Sequence, residues 1–139
     1  MLILAFDTSG FAGSVALLAG ARVLAEAALD PKRRSAQTLA PAIAELLGSQ
    51  GIKPEQVRLV ATTVGPGSFT GLRVGVTTAK TFAYAVGAEV MGISTLEAIA
   101  RSVPPDLLGV QPREIQAVID AQRKEFFLGR FRSDPGDGE

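Results

Sequence analysis

Apolar residues occur along the chain in short runs, separated either by polar turns or by segments with helical periodicity. Five of these runs have the length of buried strands and lie at residues 1–6, 14–19, 22–29, 59–64 and 89–93. Only short turns separate the first three runs, which predicts an antiparallel meander. A helical segment precedes each of the last two runs, which predicts parallel strands joined by right-handed crossovers. The pattern therefore predicts an α/β protein with a mixed five-stranded sheet flanked by helices.

Two amphipathic helices are predicted between these strands. The first covers residues 35–47, where Leu39 and Ile43 recur at helical spacing, but Pro41 would remove an internal hydrogen bond. That helix is therefore expected either to start near Thr38 or to kink. The second covers residues 72–86. Its predicted core face is the stripe formed by Leu72, Val76, Ala79, Ala83 and Val86.

A short third helix and a hairpin complete the predicted elements. Ser94 and Glu97 have the spacing of a capping box, and Pro104 with Pro105 would end the helix that it starts. Residues 115–120 and 125–132 then predict two strands joined by a turn. We divide the chain into a first lobe at residues 1–103, a hairpin segment at residues 104–132 and a disordered tail at residues 133–139.

Composition excludes several kinds of chemistry. The 139 residues include no cysteine and no histidine, which excludes serine–histidine, cysteine–histidine and zinc-protease mechanisms. The 14 basic and 14 acidic residues cancel, so the broad positive field of a protein that grips nucleic acid by itself is not expected. The basic residues Lys32, Arg33 and Arg34 are interpreted as a solvated connection rather than a phosphate contact. Without an apolar run of about 20 residues, a cytoplasmic location is expected.

The segment after the fourth strand is rich in glycine and predicts either an anion site or a tight turn. Gly65, Gly67 and Gly71 could present backbone N–H groups near a helix N-terminus. Neither the Rossmann fingerprint nor a Walker loop fits, and the hydroxyls of Ser68 and Thr70 suit turn or N-cap positions.

Two aspartates are candidates for metal–phosphate chemistry. Asp7 and Asp120 each end an apolar strand and precede a polar turn. The alternative for Asp7 is an Asx-turn at the end of its strand.

The glycine-rich segment also carries a family resemblance. The string Gly65-Pro66-Gly67-Ser68-Phe69-Thr70-Gly71-Leu72-Arg73-Val74-Gly75 closely resembles the signature of the TsaB (YeaZ) family. Further similarity lies at residues 3–9, 14–18, 37–41, 92–98 and 119–123. Members of this family are the non-catalytic subunit of the bacterial machinery that makes threonylcarbamoyladenosine in tRNA. The resemblance implies a ribonuclease-H-like lobe of the actin-like ATPase type, followed by the start of a second lobe.

The resemblance also implies partners and ligands. It predicts a TsaD-type catalytic paralogue and a TsaE-type ATPase as partners, with tRNA bound only through the complex and a homodimer when the chain is alone. No catalytic or metal-binding residue is expected in this chain. ATP or ADP with Mg²⁺ is expected at the complex interface. The residues predicted to lie near such a nucleotide are Asp7, Thr8, Ser9, Gly65, Gly67, Ser68 and Thr70.

The partner-binding surface is predicted on the two amphipathic helices. Its residues are Arg73, Gly75, Thr78 and Phe82 on the second helix, with Leu39 and Ile43 on the first. The row containing Gly75 either packs against the first helix of the same monomer or forms a subunit interface. In the second case, Gly75→Leu would abolish binding and leave the monomer folded.

The chain departs from the family pattern at several points. Residues 34–37 lack the histidine that relatives often carry there, Gln122 and Lys124 replace an arginine and a glycine common in the family, and the chain is shorter than usual. Two alternative functions therefore stay open. One is a stand-alone glycoprotease-like hydrolase or ATP-binding enzyme, and the other is a truncated paralogue that only self-associates.

Overall fold

A mixed five-stranded sheet forms the centre of the molecule, in a computed structural model that describes residues 1–104, 113–122 and 124–133. The strands are β1 (Leu2–Asp7), β2 (Ser14–Ala19), β3 (Arg22–Ala28), β4 (Val57–Gly65) and β5 (Glu89–Ser94). Their order is β3-β2-β1-β4-β5. The first three strands pair antiparallel, whereas β4 pairs in parallel with both β1 and β5. This arrangement confirms the predicted fold class.

Three helices connect or follow these strands: α1 (Ser35–Ser49), α2 (Phe69–Val86) and α3 (Thr95–Arg101). α1 contains Pro41 and still begins at Ser35, so the alternative of a later start near Thr38 is wrong. Pro41 cannot donate to the carbonyl of Gln37, but both residues are exposed, and water can donate to that carbonyl instead. No helix in the described ranges is long and apolar enough to cross a bilayer.

Serine side chains cap the N-termini of α2 and α3. The Ser68 hydroxyl accepts a hydrogen bond of 3.2 Å from the Gly71 N–H, so α2 begins at Phe69, three residues before its predicted start. At α3 the Ser94 hydroxyl accepts from the Glu97 N–H at 3.5 Å. The Glu97 carboxylate pairs with Arg101 at 3.0 Å instead of returning to the cap. The predicted N-cap role of Ser68 is confirmed.

α1 and α2 pack on one face of the sheet and form the main core with it. The fully buried apolar side chains of the strands include Leu4, Leu17 and Val60. On α2 the buried residues are Gly75, Ala79 and Ala83, whereas Leu72, Val76 and Val86 are only half-buried. The prediction is therefore confirmed for Ala79 and Ala83 and wrong for the three larger residues, because the smallest residues of α2 face the strands and let the helix lie close to them.

An antiparallel hairpin, β6 (Arg113–Gln122) and β7 (Glu125–Ser133), packs against α3. Ala117 on β6 and Ala100 on α3 are both buried. A Cβ atom built at Gly129 would lie 3.2 Å from the Cβ of Leu96, so the hairpin approaches α3 closely. Ser133, which we expected in a disordered tail, ends β7. The rest of that tail, residues 134–139, and Pro105 of the expected linker lie outside the described residues.

Candidate functional sites at the glycine loop and the helical face

Asp7 ends β1, and its carboxylate accepts hydrogen bonds from two neighbouring segments. Its Oδ1 accepts a hydrogen bond of 2.8 Å from the Ser9 N–H, which is the Asx-turn arrangement. The same oxygen accepts from the Thr63 hydroxyl of β4 at 2.6 Å. The Asx-turn alternative is therefore the one observed, and this carboxylate oxygen holds the end of β1 against β4.

The β1–β2 connection is joined to the glycine loop, which we define as residues 65–71. The Thr8 hydroxyl donates to the Gly71 carbonyl at 2.8 Å, and the Ser68 N–H donates to the Ser9 carbonyl at 2.7 Å. A Cβ atom built at Gly67 would lie 2.6 Å from the Ser9 carbonyl oxygen, and one built at Gly71 would collide with the Thr8 carbonyl. Glycine is required at both positions because another part of the same chain occupies the space beside them.

The seven residues predicted near a nucleotide do come together at this place, but their donors and space are largely taken. Thr8 and Ser9 are buried, and the N–H groups of Ser68 and Gly71 already have acceptors within the chain. Within residues 1–104, 113–122 and 124–133, no three acidic, histidine or cysteine side chains are grouped as metal ligands. The N–H groups of Ser68 and Gly71 are therefore not available to a phosphate, and the close approach of two loops accounts for Gly67 and Gly71.

Asp120, the second candidate aspartate, lies in a different setting from Asp7. It is exposed on β6 and stands opposite Phe126 of β7. The strand continues beyond it to Gln122, with an irregular register between the two residues. Asp120 therefore belongs to the body of the hairpin rather than to the end of a strand.

Several residues predicted to bind a partner belong to the core of this chain. Leu39 and Ile43 have exposed fractions of 1% and 4% and face the sheet from α1. Gly75 faces the sheet from α2, where an added Cβ would lie 2.5 Å from Thr8 Oγ1 and 3.0 Å from Thr62 Oγ1. The assignment of Leu39, Ile43 and Gly75 to a partner surface is therefore wrong, and the same contacts contradict the expectation that Gly75→Leu leaves the monomer folded.

The other three predicted partner residues differ in their exposure. Phe82 is half-buried and packs against the core cluster. Thr78 is also half-buried, whereas Arg73 is exposed. Arg73 and Thr78 line a groove of about 450 Å³ beside the start of α1, together with Ala36, Phe69, Thr70, Val74 and Thr77.

The outward surface of α1 and α2 carries small and aromatic residues that the described part of the chain leaves exposed. Every fourth residue along the outside of α1 is small and exposed, at Ala36, Ala40, Ala44 and Gly48. On α2 the Phe69 side chain is 74% exposed, and the Arg73 guanidinium lies 5.5 Å from the centre of its ring. We call these six residues the α1–α2 face. The sequence shows the four-residue spacing of the small residues on α1, but it predicts Phe69 in the loop before α2.

Comparisons with known proteins agree with this architecture. The family model of TsaD, tRNA N6-adenosine threonylcarbamoyltransferase, matches residues 22–136. The tRNA threonylcarbamoyladenosine biosynthesis protein TsaB of Bacillus subtilis is 33% identical over 132 residues, which cover 95% of this chain and 56% of that protein. TsaB of Haemophilus influenzae is 35% identical over 142 residues, which cover 99% and 58%. The structure of YeaZ from Pseudomonas aeruginosa has a TM-score of 0.82 at 33% identity and covers 96% and 61%.

These similarities define first a class and then a family. The sheet order and the YeaZ likeness place the chain among α/β proteins of the actin-like, ribonuclease-H-like type, with the glycoprotease-like fold of TsaD. Within that class, the chain belongs to the TsaB/YeaZ family of tRNA threonylcarbamoyladenosine biosynthesis proteins. It spans somewhat more than half the length of the TsaB proteins of Bacillus subtilis and Haemophilus influenzae.

Proposed function

We propose that this chain is a non-catalytic subunit that binds a TsaD-type catalytic paralogue. In the proposed complex the paralogue transfers the threonylcarbamoyl group to the adenosine beside the anticodon of tRNA, and a TsaE-type ATPase is a further subunit. tRNA contacts the chain only through that complex, and the complex works in the cytoplasm. The observation that carries the proposal is the α1–α2 face, a row of small residues beside an exposed aromatic ring and an arginine.

The composition of this face suits the docking of partner helices. Alanine and glycine at every fourth position form a shallow groove into which the side-chain ridge of another helix can pack. Aromatic residues and arginine contribute most of the binding energy at many protein interfaces, and Phe69 with Arg73 supplies both. A partner that covers Phe69 would also remove its exposed ring from water. Any self-association of the chain in the absence of the paralogue uses the same face.

The glycine loop supports a structural rather than a catalytic role for this chain. An oxygen of Asp7 and the N–H of Ser68 already bond to neighbouring segments. We therefore propose that ATP or ADP with Mg²⁺, where the complex uses it, is held by residues of the partner subunits. Titration of this chain alone with magnesium nucleotide would then give no binding signal, whereas saturable binding at the glycine loop would contradict this part of the proposal.

A reconstituted tRNA modification reaction tests the proposed function. The reaction contains the TsaD-type paralogue, the adenylate-forming enzyme, the TsaE-type ATPase and tRNA, with or without this chain. We expect modification to require the chain. We also expect Ala44→Arg to abolish it, because a long cationic side chain would stand in the groove along α1.

Ala21→Arg is the matched control, because Ala21 is exposed in the turn between β2 and β3 and lies outside the six residues of the α1–α2 face. This variant should keep full modification and the same paralogue affinity as the unchanged chain. Modification that proceeds equally well without the chain would overturn the proposed role. Equal loss of activity in both arginine variants would show that the α1–α2 face is not the binding surface.

A further inference from the structure

The neutral chain has a strongly uneven charge distribution around the α1–α2 face. α2 carries the exposed cations Arg73 and Lys80 and no carboxylate. The loop leading into α1 adds three more exposed cations, Lys32, Arg33 and Arg34. Across residues 30–50 and 68–89 these five cations compare with three exposed carboxylates, Asp30, Glu45 and Glu89. The surface around the two helices therefore carries an excess of positive charge, although the whole chain has a formal net charge of zero.

We propose that the α1–α2 face selects a partner whose contacting helices are acidic and disfavours a second copy of this chain. The inference rests on the proposed function and names the chemistry of the partner surface. An acidic helical surface on the TsaD-type subunit would neutralise the cations around the groove and place its own apolar side chains against the alanines of α1. Charge complementarity of this kind sets the association rate and suppresses wrong partners.

A second copy meets an electrostatic penalty at this face. A two-fold symmetric dimer contacts itself with the same patch from both subunits, so the cationic excess of one copy would face that of the other. The carboxylates of Asp30, Glu45 and Glu89 offset only part of that excess. Like charges brought together at an interface oppose association, and dissolved salt weakens that opposition. Self-association through this face should therefore be weak at low salt and stronger at high salt.

Arg73 is the residue best placed to recognise a partner carboxylate. Its guanidinium lies over the Phe69 ring at the rim of the groove, which limits the conformations of its long side chain. A planar guanidinium can donate two parallel hydrogen bonds to one carboxylate. RNA phosphates would also attract these cations, but the row Ala36, Ala40, Ala44 and Gly48 offers a sugar–phosphate backbone no side-chain hydrogen-bond donor. A protein helix fits both the charge and the apolar row.

Titration of the TsaD-type paralogue with this chain at low and high salt tests the proposal. We expect affinity to fall with salt, and Arg73→Glu to weaken binding about tenfold or more at low salt. Arg22→Glu at the start of β3 makes the same charge change outside the α1–α2 face and should leave affinity unchanged. Binding that is insensitive both to salt and to Arg73→Glu would overturn the acidic-partner inference while leaving the proposed function intact.

Sedimentation equilibrium of the chain alone gives a readout that does not depend on the paralogue. We expect the dimer to tighten about tenfold from low to high salt, and Arg73→Glu to tighten it at low salt. A tight dimer at low salt that neither change affects would overturn the inference. A short single-stranded RNA that binds the isolated chain through Arg73 as tightly as the paralogue does would overturn it too. If the paralogue fails to bind at all, the proposed function fails, and the self-association result still decides whether the face repels its own copy.

Discussion

The glycine loop and the outer surface of α1 both carry small residues at short intervals, and the molecule uses them in opposite ways. At the loop, the Thr8–Ser9 segment of the same chain occupies the space beside Gly67 and Gly71. On α1, nothing in the described part of the chain lies within 4 Å of a Cβ built at Gly48. Small residues therefore mark an observed close approach at the loop, whereas on α1 the space beside them is open and, in the complex we propose, is filled by the partner.

The sharpest test of this comparison is a pair of identical substitutions in two helical glycines. Gly75→Leu should destabilise the fold by about 3 kcal/mol or more, because its Cβ would lie 2.5 Å from Thr8 Oγ1 at the tightest point between α2 and the sheet. Gly48→Leu should stay within about 1 kcal/mol of the unchanged chain, since leucine favours a helix more than glycine does. Urea unfolding followed by circular dichroism measures both.

In binding, the variant that keeps its stability should show the defect. Gly48→Leu, although folded, should lose affinity for the TsaD-type paralogue because its side chain projects from the α1–α2 face. Comparable stability in Gly75→Leu and Gly48→Leu would show that burial does not separate the two regions.

A smaller loss of stability is expected from substitution of Asp7, which joins the end of β1 to Ser9 and Thr63. Asp7→Ala removes the acceptor for the Ser9 N–H and the Thr63 hydroxyl and should cost about 2 kcal/mol of stability. Asp7→Asn retains a side-chain oxygen and should cost less than half as much. Thermal and urea unfolding of the two variants give the comparison. If Asn and Ala at this position prove equally destabilising, the hydrogen bonds to Oδ1 are not what Asp7 contributes.

The smallest effect concerns the cap that starts α2. Ser68→Ala should cost about 1 kcal/mol, because the Gly71 N–H loses its acceptor. Ser94→Ala is a matched control at the start of α3, where the equivalent bond is longer at 3.5 Å, and should cost about 0.5 kcal/mol or less. Denaturant midpoints measured side by side decide between them, and a larger loss at Ser94 would contradict the ranking.

The sheet could be predicted from the sequence because its strands are short apolar runs bounded by turns. The side of α2 that faces the sheet could be predicted only in part. The predicted stripe correctly included Ala79 and Ala83, but its larger members Leu72, Val76 and Val86 are only half-buried, and Gly75, which it left out, faces the strands. Hydrophobicity alone does not show how closely a helix approaches a sheet. That distance is set here by Thr8, a residue far away in the sequence.

The candidate sites were predicted with mixed success for similar reasons. The resemblance pointed to α1 and α2, but Leu39 and Ile43 were assigned both to the apolar face of a helix and to a partner surface. One side of a helix that packs on its own sheet cannot serve both purposes. Phe69 was missed because α2 was predicted to start at residue 72, although Ser68 has the character of an N-cap.

The join between the Thr8–Ser9 segment and the glycine loop also has a consequence for the order of folding. The hydrogen bond from Thr8 to Gly71 spans 63 residues of sequence, and that from Thr63 to Asp7 spans 56. The β1–β2–β3 meander needs only short turns, so its contacts close at a much lower entropic cost. We therefore expect the meander to form early, and the glycine loop to reach its native shape only after β4 has joined β1 and brought the two distant segments together.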